Sequence, residues 1–193
     1  MRVPYVPNPP PTTSPEEESI VAAIEARRHP RPLQPLDLAL LHSPQIALGW
    51  NNFVGAVRTR SSLADDLREV AICRIAVVNK AWYEWMHHAP LAVKAGVPSE
   101  AMAKLMTETR LVLSDLPFEF SEKQWAVCVM ADEMTQNVHV ADKTFSQLKS
   151  FFNDQEVVEI VATVACYNCV SRFLVALDVG ERNGISPALP KTS

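Results

Sequence analysis

Helix breakers are spread unevenly along this chain, and that asymmetry limits its folds more than any other feature. Nine of its 15 prolines fall within the first 35 positions, and only five glycines occur among 193 residues. Beyond Pro35 there are few points at which a hairpin can turn, and long stretches of helix formers remain. An all-α fold follows. With 48% hydrophobic and 21% charged residues, the chain can build one core, burying roughly 70% of its unfolded surface. Acidic groups outnumber basic ones by 22 to 18, for a formal charge of -4. No Lys/Arg cluster exceeds a pair, which excludes a phosphate-neutralising stripe and a nucleic-acid partner. Cys73, Cys128, Cys166 and Cys169 sit in apolar helical contexts and are expected as reduced thiols of a cytoplasmic protein. Neither a signal peptide nor a membrane span is expected, because no run of ~18 apolar residues is unbroken.

Residues 1–14 hold five prolines and read as an extended arm. Ser14, Pro15 and three glutamates open a helix over 15–28, which His29-Pro30 stops. A short helix begins at Pro35, and another covers 44–58 with Ile46, Ala47, Trp50, Phe53, Val54 and Val57 at helical spacing. Ser62 and Asp65 form a candidate capping box for a helix over 63–80, apolar nearly all round beyond Val70 and therefore central. Trp82 to Lys94 continues as a helix with Pro90 inside it, ending at Gly96. Further helices are expected over 99–106, from Ser121 through Met134, over 141–152 and over 155–180, with a loop at 107–120 and a tail from 183. A soft repeat at an offset of 87 aligns 67–85 with 154–172 and places Tyr167 and Asn168 at the positions of Lys80 and Ala81.

The residues suited to chemistry concentrate in Trp82-Tyr83-Glu84-Trp85-Met86-His87-His88. Glu84 and His88 are one helical turn apart and share a face, so a carboxylate can orient or charge an imidazole. Surrounding aromatic rings would exclude water and move both groups toward neutral pKa values, as proton transfer requires. The same residues would serve equally as a polar contact beneath an aromatic core. Arg74 can grip a substrate carboxylate or pair with a nearby acid. His87 and His88 face different ways on one helix, so no metal site is expected from Glu84, His87 and His88. His29, His42 and His139 are isolated.

Leu67-Arg68-Glu69-Val70, Ile72-Cys73-Arg74-Ile75-Ala76, Trp82-Tyr83-Glu84-Trp85 with His88, Ala92, and Ala95-Gly96-Val97-Pro98 together resemble the carboxymuconolactone decarboxylase and alkyl hydroperoxidase D superfamily. The resemblance runs over about 44–180, and its specific part is 67–98. It implies a single-domain helical bundle of the alkyl hydroperoxidase D-like type over 15–182, assembled as a homo-oligomer. The redox branch carries a Glu, a Cys twelve residues on that opens a C-x-x-C pair, and a His four residues past the second Cys. Here those positions are Glu69, Ala81, Glu84 and His88, so both thiols are absent, and neither Ala nor Glu can be oxidised reversibly.

What the resemblance leaves is acid/base chemistry without a cofactor or metal, that of a decarboxylase, other lyase or isomerase, on a small carboxylated lactone, ring acid or polyketide-like substrate. Glu69, Glu84 and His88 are its expected catalytic residues, and Arg74, Trp82, Tyr83 and His87 its substrate-binding ones. Two other readings stand beside it. Cys166 and Cys169 form a second C-x-x-C, which would support thiol oxidoreduction but is better explained by two buried small residues. A helical oligomer that has lost its activity is the third.

Overall fold

Ser14 and Pro15 decide where the first helix begins. The Ser14 hydroxyl accepts from the Glu17 amide at 3.2 Å, and Pro15, lacking an amide proton, takes the first helical position. Helix α1 (Pro15–Arg28) follows, and α2 (Pro35–Leu40) and α3 (Pro44–Thr59) each start on a proline again. The computed structural model describes residues 1–189, which divide into two compact units. One comprises 1–61 with 176–181, and the other 62–175 with 182–189.

In the first unit, Nε and Nη2 of Arg28 donate to the two carboxylate oxygens of Asp37, each at 2.8 Å, in a buried fork. The arm packs on its own chain. The Met1 amino group pairs with Glu181 at 2.7 Å, the Arg2 amide donates to the Leu177 carbonyl, and the Tyr5 hydroxyl accepts from the Gly180 amide. The face expected along α3 is divided: Ala47, Val54 and Val57 are buried, while Ile46 and Phe53 are 59% and 49% exposed. Adjacent helical positions point about 100° apart, so the Ile46/Phe53 stripe turns out when Ala47 and Val54 turn in.

The second unit contains α4 (Asp65–Val78), α5 (Trp82–Lys94), α6 (Ser99–Thr107), a 3₁₀ turn at Leu113–Asp115, α7 (Glu122–Asn137), α8 (Asp142–Phe151) and most of α9 (Asp154–Leu177). No strand occurs among the described residues, as an all-α fold requires. Every residue of α4 from Leu67 to Ala76 is buried, and α5, α6 and α7 pack around it. That is the outcome an all-round apolar helix dictates.

The Ser62–Asp65 capping box does not form, and α4 starts at Asp65. Ser62 gives its amide and hydroxyl to Glu159 instead, and Asp65 pairs with Arg68 at 2.6 Å. A true box closes α9, where Asn153 and Glu156 exchange side-chain-to-amide bonds of 3.0 and 2.9 Å. Gly96, at φ +99°, ends α5 as the sequence indicates, with its amide on the Val93 carbonyl.

Between α4 and α5, Lys80 adopts a left-handed conformation (φ +54°). An L-residue there costs about 1–2 kcal/mol. The loop after α6 is tied down rather than loose: the Leu111 amide donates to Asp132, and the Trp125 indole to the Val112 carbonyl.

Helix α9 stops at Leu177, short of the expected Gly180. It is long and apolar enough to cross a membrane, and 44% of its most apolar stretch is buried within the protein. Its inward stripe includes Ile160, Val164, Tyr167 and Leu174, while Val158, Ala165 and Cys169 face out. The expectation that both Cys166 and Cys169 are buried therefore fails for Cys169. Positions three apart lie about 60° from each other round the helix, so Cys169 falls just outside the stripe that buries Cys166.

Candidate active site

Three acid/base groups meet in the core of the second unit. Glu69 lies in the middle of α4, and Glu84 and His88 occupy one face of α5. All three are at most 5% exposed. Sequence spacing pairs Glu84 with His88, but the contact that forms is between His88 and Glu69. His88 Nδ1 is 2.6 Å from Glu69 Oε2. The contact is set between helices: α5 packs along α4, and the imidazole reaches across to the carboxylate there. Because a carboxylate only accepts, Nδ1 carries the proton of this bond and Nε2 becomes the basic nitrogen. The other Glu69 oxygen has Arg68 Nε at 3.5 Å.

Neither carboxyl oxygen of Glu84 has a hydrogen-bond partner. Burial first, and the charge of Glu69 second, push its pKa well above the ordinary carboxylate range. That shift favours the protonated, neutral form of Glu84 beside the Glu69–His88 pair. The Tyr167 ring meets His88 edge-on at 5.0 Å. Cys73 and Cys166 complete the surroundings. Burial, with the Glu69 and Glu84 charges behind it, raises the Cys73 thiol well above its usual range. Burial pushes Cys166 up to about 12, with Cys169 and Glu84 adding to the shift. Nothing in the sequence marks these two cysteines as neighbours of Glu84, because they come from different helices.

The four expected substrate-binding residues separate into two pairs. Tyr83 and His87 stack at 4.4 Å, and His87 Nδ1 lies 2.9 Å from the Tyr83 carbonyl. His87 is exposed where His88 is buried, as adjacent helical positions require. Arg74 and Trp82 instead line a groove of about 470 Å³, together with Val77, Lys80, Met106 and Gln136. Arg74 is fully buried. Its guanidinium spans Asp132, through Nε at 2.7 Å and through Nη2, and the Leu105 and Glu108 carbonyls, through Nη1 at 2.9 and 2.7 Å. Asp132 and Lys80 escaped the sequence reading: the first is 58 residues from its partner, and the second lies just outside the aromatic run. No group of three His, Cys, Asp or Glu is placed to hold a metal ion among the described residues.

All four thiols are free, and only Cys169 is exposed. A maleimide at neutral pH should therefore add once to the native protein, at Cys169, while Cys73, Cys128 and Cys166 react only after unfolding. Peptide mapping of the adduct reads this directly; prior labelling of Cys166 would reopen the dithiol reading.

Residues 44–112 match the model of the Carboxymuconolactone decarboxylase family. No curated protein sequence matches the chain. Among solved structures, an uncharacterized peroxidase-related protein from Silicibacter sp. TM1040 is similar, with a TM-score of 0.70 and 16% identity over 90% of this chain and 92% of that one. The alkylhydroperoxidase AhpD core protein from Ralstonia eutropha JMP134 gives a TM-score of 0.68 and 16% identity, over 92% and 90% of the two chains. A cysteine-to-alanine form of the debrominase Bmp8, in complex with 2,3,4-tribromopyrrole, gives 0.67 and 16%, over 86% and 84%. At such identities the likeness is one of fold.

Proposed function

We propose that this chain, with its match to the Carboxymuconolactone decarboxylase family over 44–112 and its AhpD-like fold, is an acid/base enzyme that moves a proton at a carbon of a small carboxylated substrate. The family match and the debrominase neighbour both point to a catalytic role. The observation that carries the finer reading is the partnerless, buried Glu84 carboxyl next to the Glu69–His88 pair. A neutral acid and a basic imidazole side by side can act on the two ends of one conjugated carbonyl system.

In an isomerisation, His88 Nε2 takes a proton from the carbon next to a carbonyl, the electron pair moves onto the carbonyl oxygen, and Glu84 delivers its proton to the far carbon. In a decarboxylation, the bond to the leaving carboxylate breaks, carbon dioxide departs, and the same electron pair is quenched at carbon by the Glu84 proton. Thiol chemistry is disfavoured: Ala81 and Glu84 stand where the redox branch has its cysteines, and a thiol with a pKa of about 12, Cys166, is almost wholly protonated at neutral pH. Self-assembly belongs to the same reading, supported by the apolar residues that α9 leaves exposed, Val158 and Ala165 among them.

Proton NMR in deuterated water, with a panel of small carboxylated lactones and β-keto acids, tests this. Deuterium should enter at carbon with the native protein, and the rate should fall about 100-fold or more in Glu84→Gln and in His88→Ala. Turnover that persists in both variants would refute the assignment.

A further inference from the structure

The groove beside Trp82 contains two cations, and their situations differ. Arg74 is neutralised by Asp132 and held by two carbonyls. It has little left for a ligand. Lys80 is exposed, and its ammonium takes part in no ion pair or hydrogen bond among the described residues. Its backbone is pinned on both sides: the Lys80 amide donates to the Val77 carbonyl at 3.1 Å, and the Lys80 carbonyl accepts from the Trp82 amide at 3.1 Å. The residue sits in a left-handed conformation just past the end of α4, the place where glycine fits without strain. The chain keeps a long cationic side chain where the backbone alone favours glycine. A strained, non-glycine residue that faces a cavity points to a use for its side chain.

We infer that this groove binds a planar monocarboxylate, with the Lys80 ammonium on the carboxylate and the ring between the Trp82 indole and the apolar wall of Val77 and Met106. A flat ring is the shape that an indole and two aliphatic side chains enclose. One free cation selects for one anionic group. The exposed Glu108 on the same groove carries the opposite charge and repels a second carboxylate. The inference goes beyond the proposed acid/base function, since it assigns an anion site outside the Glu69–Glu84–His88 cluster. Lys80 lies in the turn before α5, and neither Glu84 nor His88 lines this groove.

The test needs no turnover. Binding of benzoate, benzamide and isophthalate is measured by calorimetry on the native protein, Lys80→Gly, Lys80→Arg and Glu84→Gln. Benzoate is expected to bind at least ten-fold tighter than the neutral amide and than the dianion. Lys80→Gly should lose that preference while its melting temperature stays level or rises, since the strain is relieved, and Lys80→Arg should retain most of it. Glu84→Gln should bind benzoate as the native protein does, so a failed acid/base mechanism and a failed carboxylate site give different results. Equal binding of benzoate and benzamide, or benzoate affinity unchanged in Lys80→Gly, overturns the inference. Isophthalate binding tighter than benzoate overturns its single-anion selectivity.

Discussion

Replacing Arg74 with Met is expected to destabilise the protein by about 3–5 kcal/mol, the cost of removing one partner from a buried ion pair. The side chains of Arg74 and Asp132 are each 1% exposed. Met fills much of the volume of Arg, so the loss comes from what remains. Asp132 keeps only Gln136, at 2.9 Å, and the Leu111 amide, at 3.2 Å, and the Leu105 and Glu108 carbonyls lose their donor. In a chain of this size each kcal/mol moves the melting temperature by about 2–4 °C, so a drop of roughly 6–20 °C is expected in a thermal melt. The double variant Arg74→Met, Asp132→Leu should recover most of the loss, because no uncompensated charge is then left in the core. If Arg74→Met alone melts within a degree or two of the native protein, Asp132 is not an isolated buried charge and the account of the groove wall is wrong.

The same pair shows where the sequence stopped being informative. Helices are local, and their signals are read locally: Ser14-Pro15, the breaker-free stretch of α4 and the Gly96 stop each lie within a turn or two of the structure they specify. Glu69, Glu84 and His88 were legible because a family spacing marks them. Which of them touch was not. Glu84 and His88 share a face, yet the bond runs from His88 to Glu69, 19 residues away, because it depends on how α5 is set against α4. Asp132, Cys166 and Tyr167 are further off still, and each enters its cluster only when α7 or α9 packs. Spacing also misled at Ser62, where Glu159, 97 residues away, takes the amide that a local box would have used. Lys80 was missed for a different reason. Its signal is a backbone conformation, and an ordinary lysine gives no hint in sequence that it occupies a glycine's place.

Substituting Glu84 by Gln should remove a loss of stability with pH that the native protein carries. Burial and the nearby Glu69 hold the Glu84 pKa well above its usual 4.5, so above that value the folded chain keeps a proton that the unfolded chain releases. The favourable contribution is full below the unfolded pKa and disappears as pH rises toward and through the folded one. Across that window the native protein loses about 1.4 kcal/mol per pH unit on this account. Gln has no such proton. Glu69, His88, Cys73 and Cys166 surround the site in both proteins, and taking the difference between them isolates Glu84. Urea denaturation at pH 4.5, 5.5 and 6.5 should therefore show the two stabilities diverging as pH rises, with the native protein falling behind. Parallel curves would show Glu84 ionised in the folded state, and the neutral acid on which the proposed proton transfer depends would be gone. The expected pattern places stability and catalysis in opposition at one residue. A carboxyl that water would ionise is held protonated and without a partner, and the substitution that relieves this cost near neutral pH is the one expected to abolish turnover.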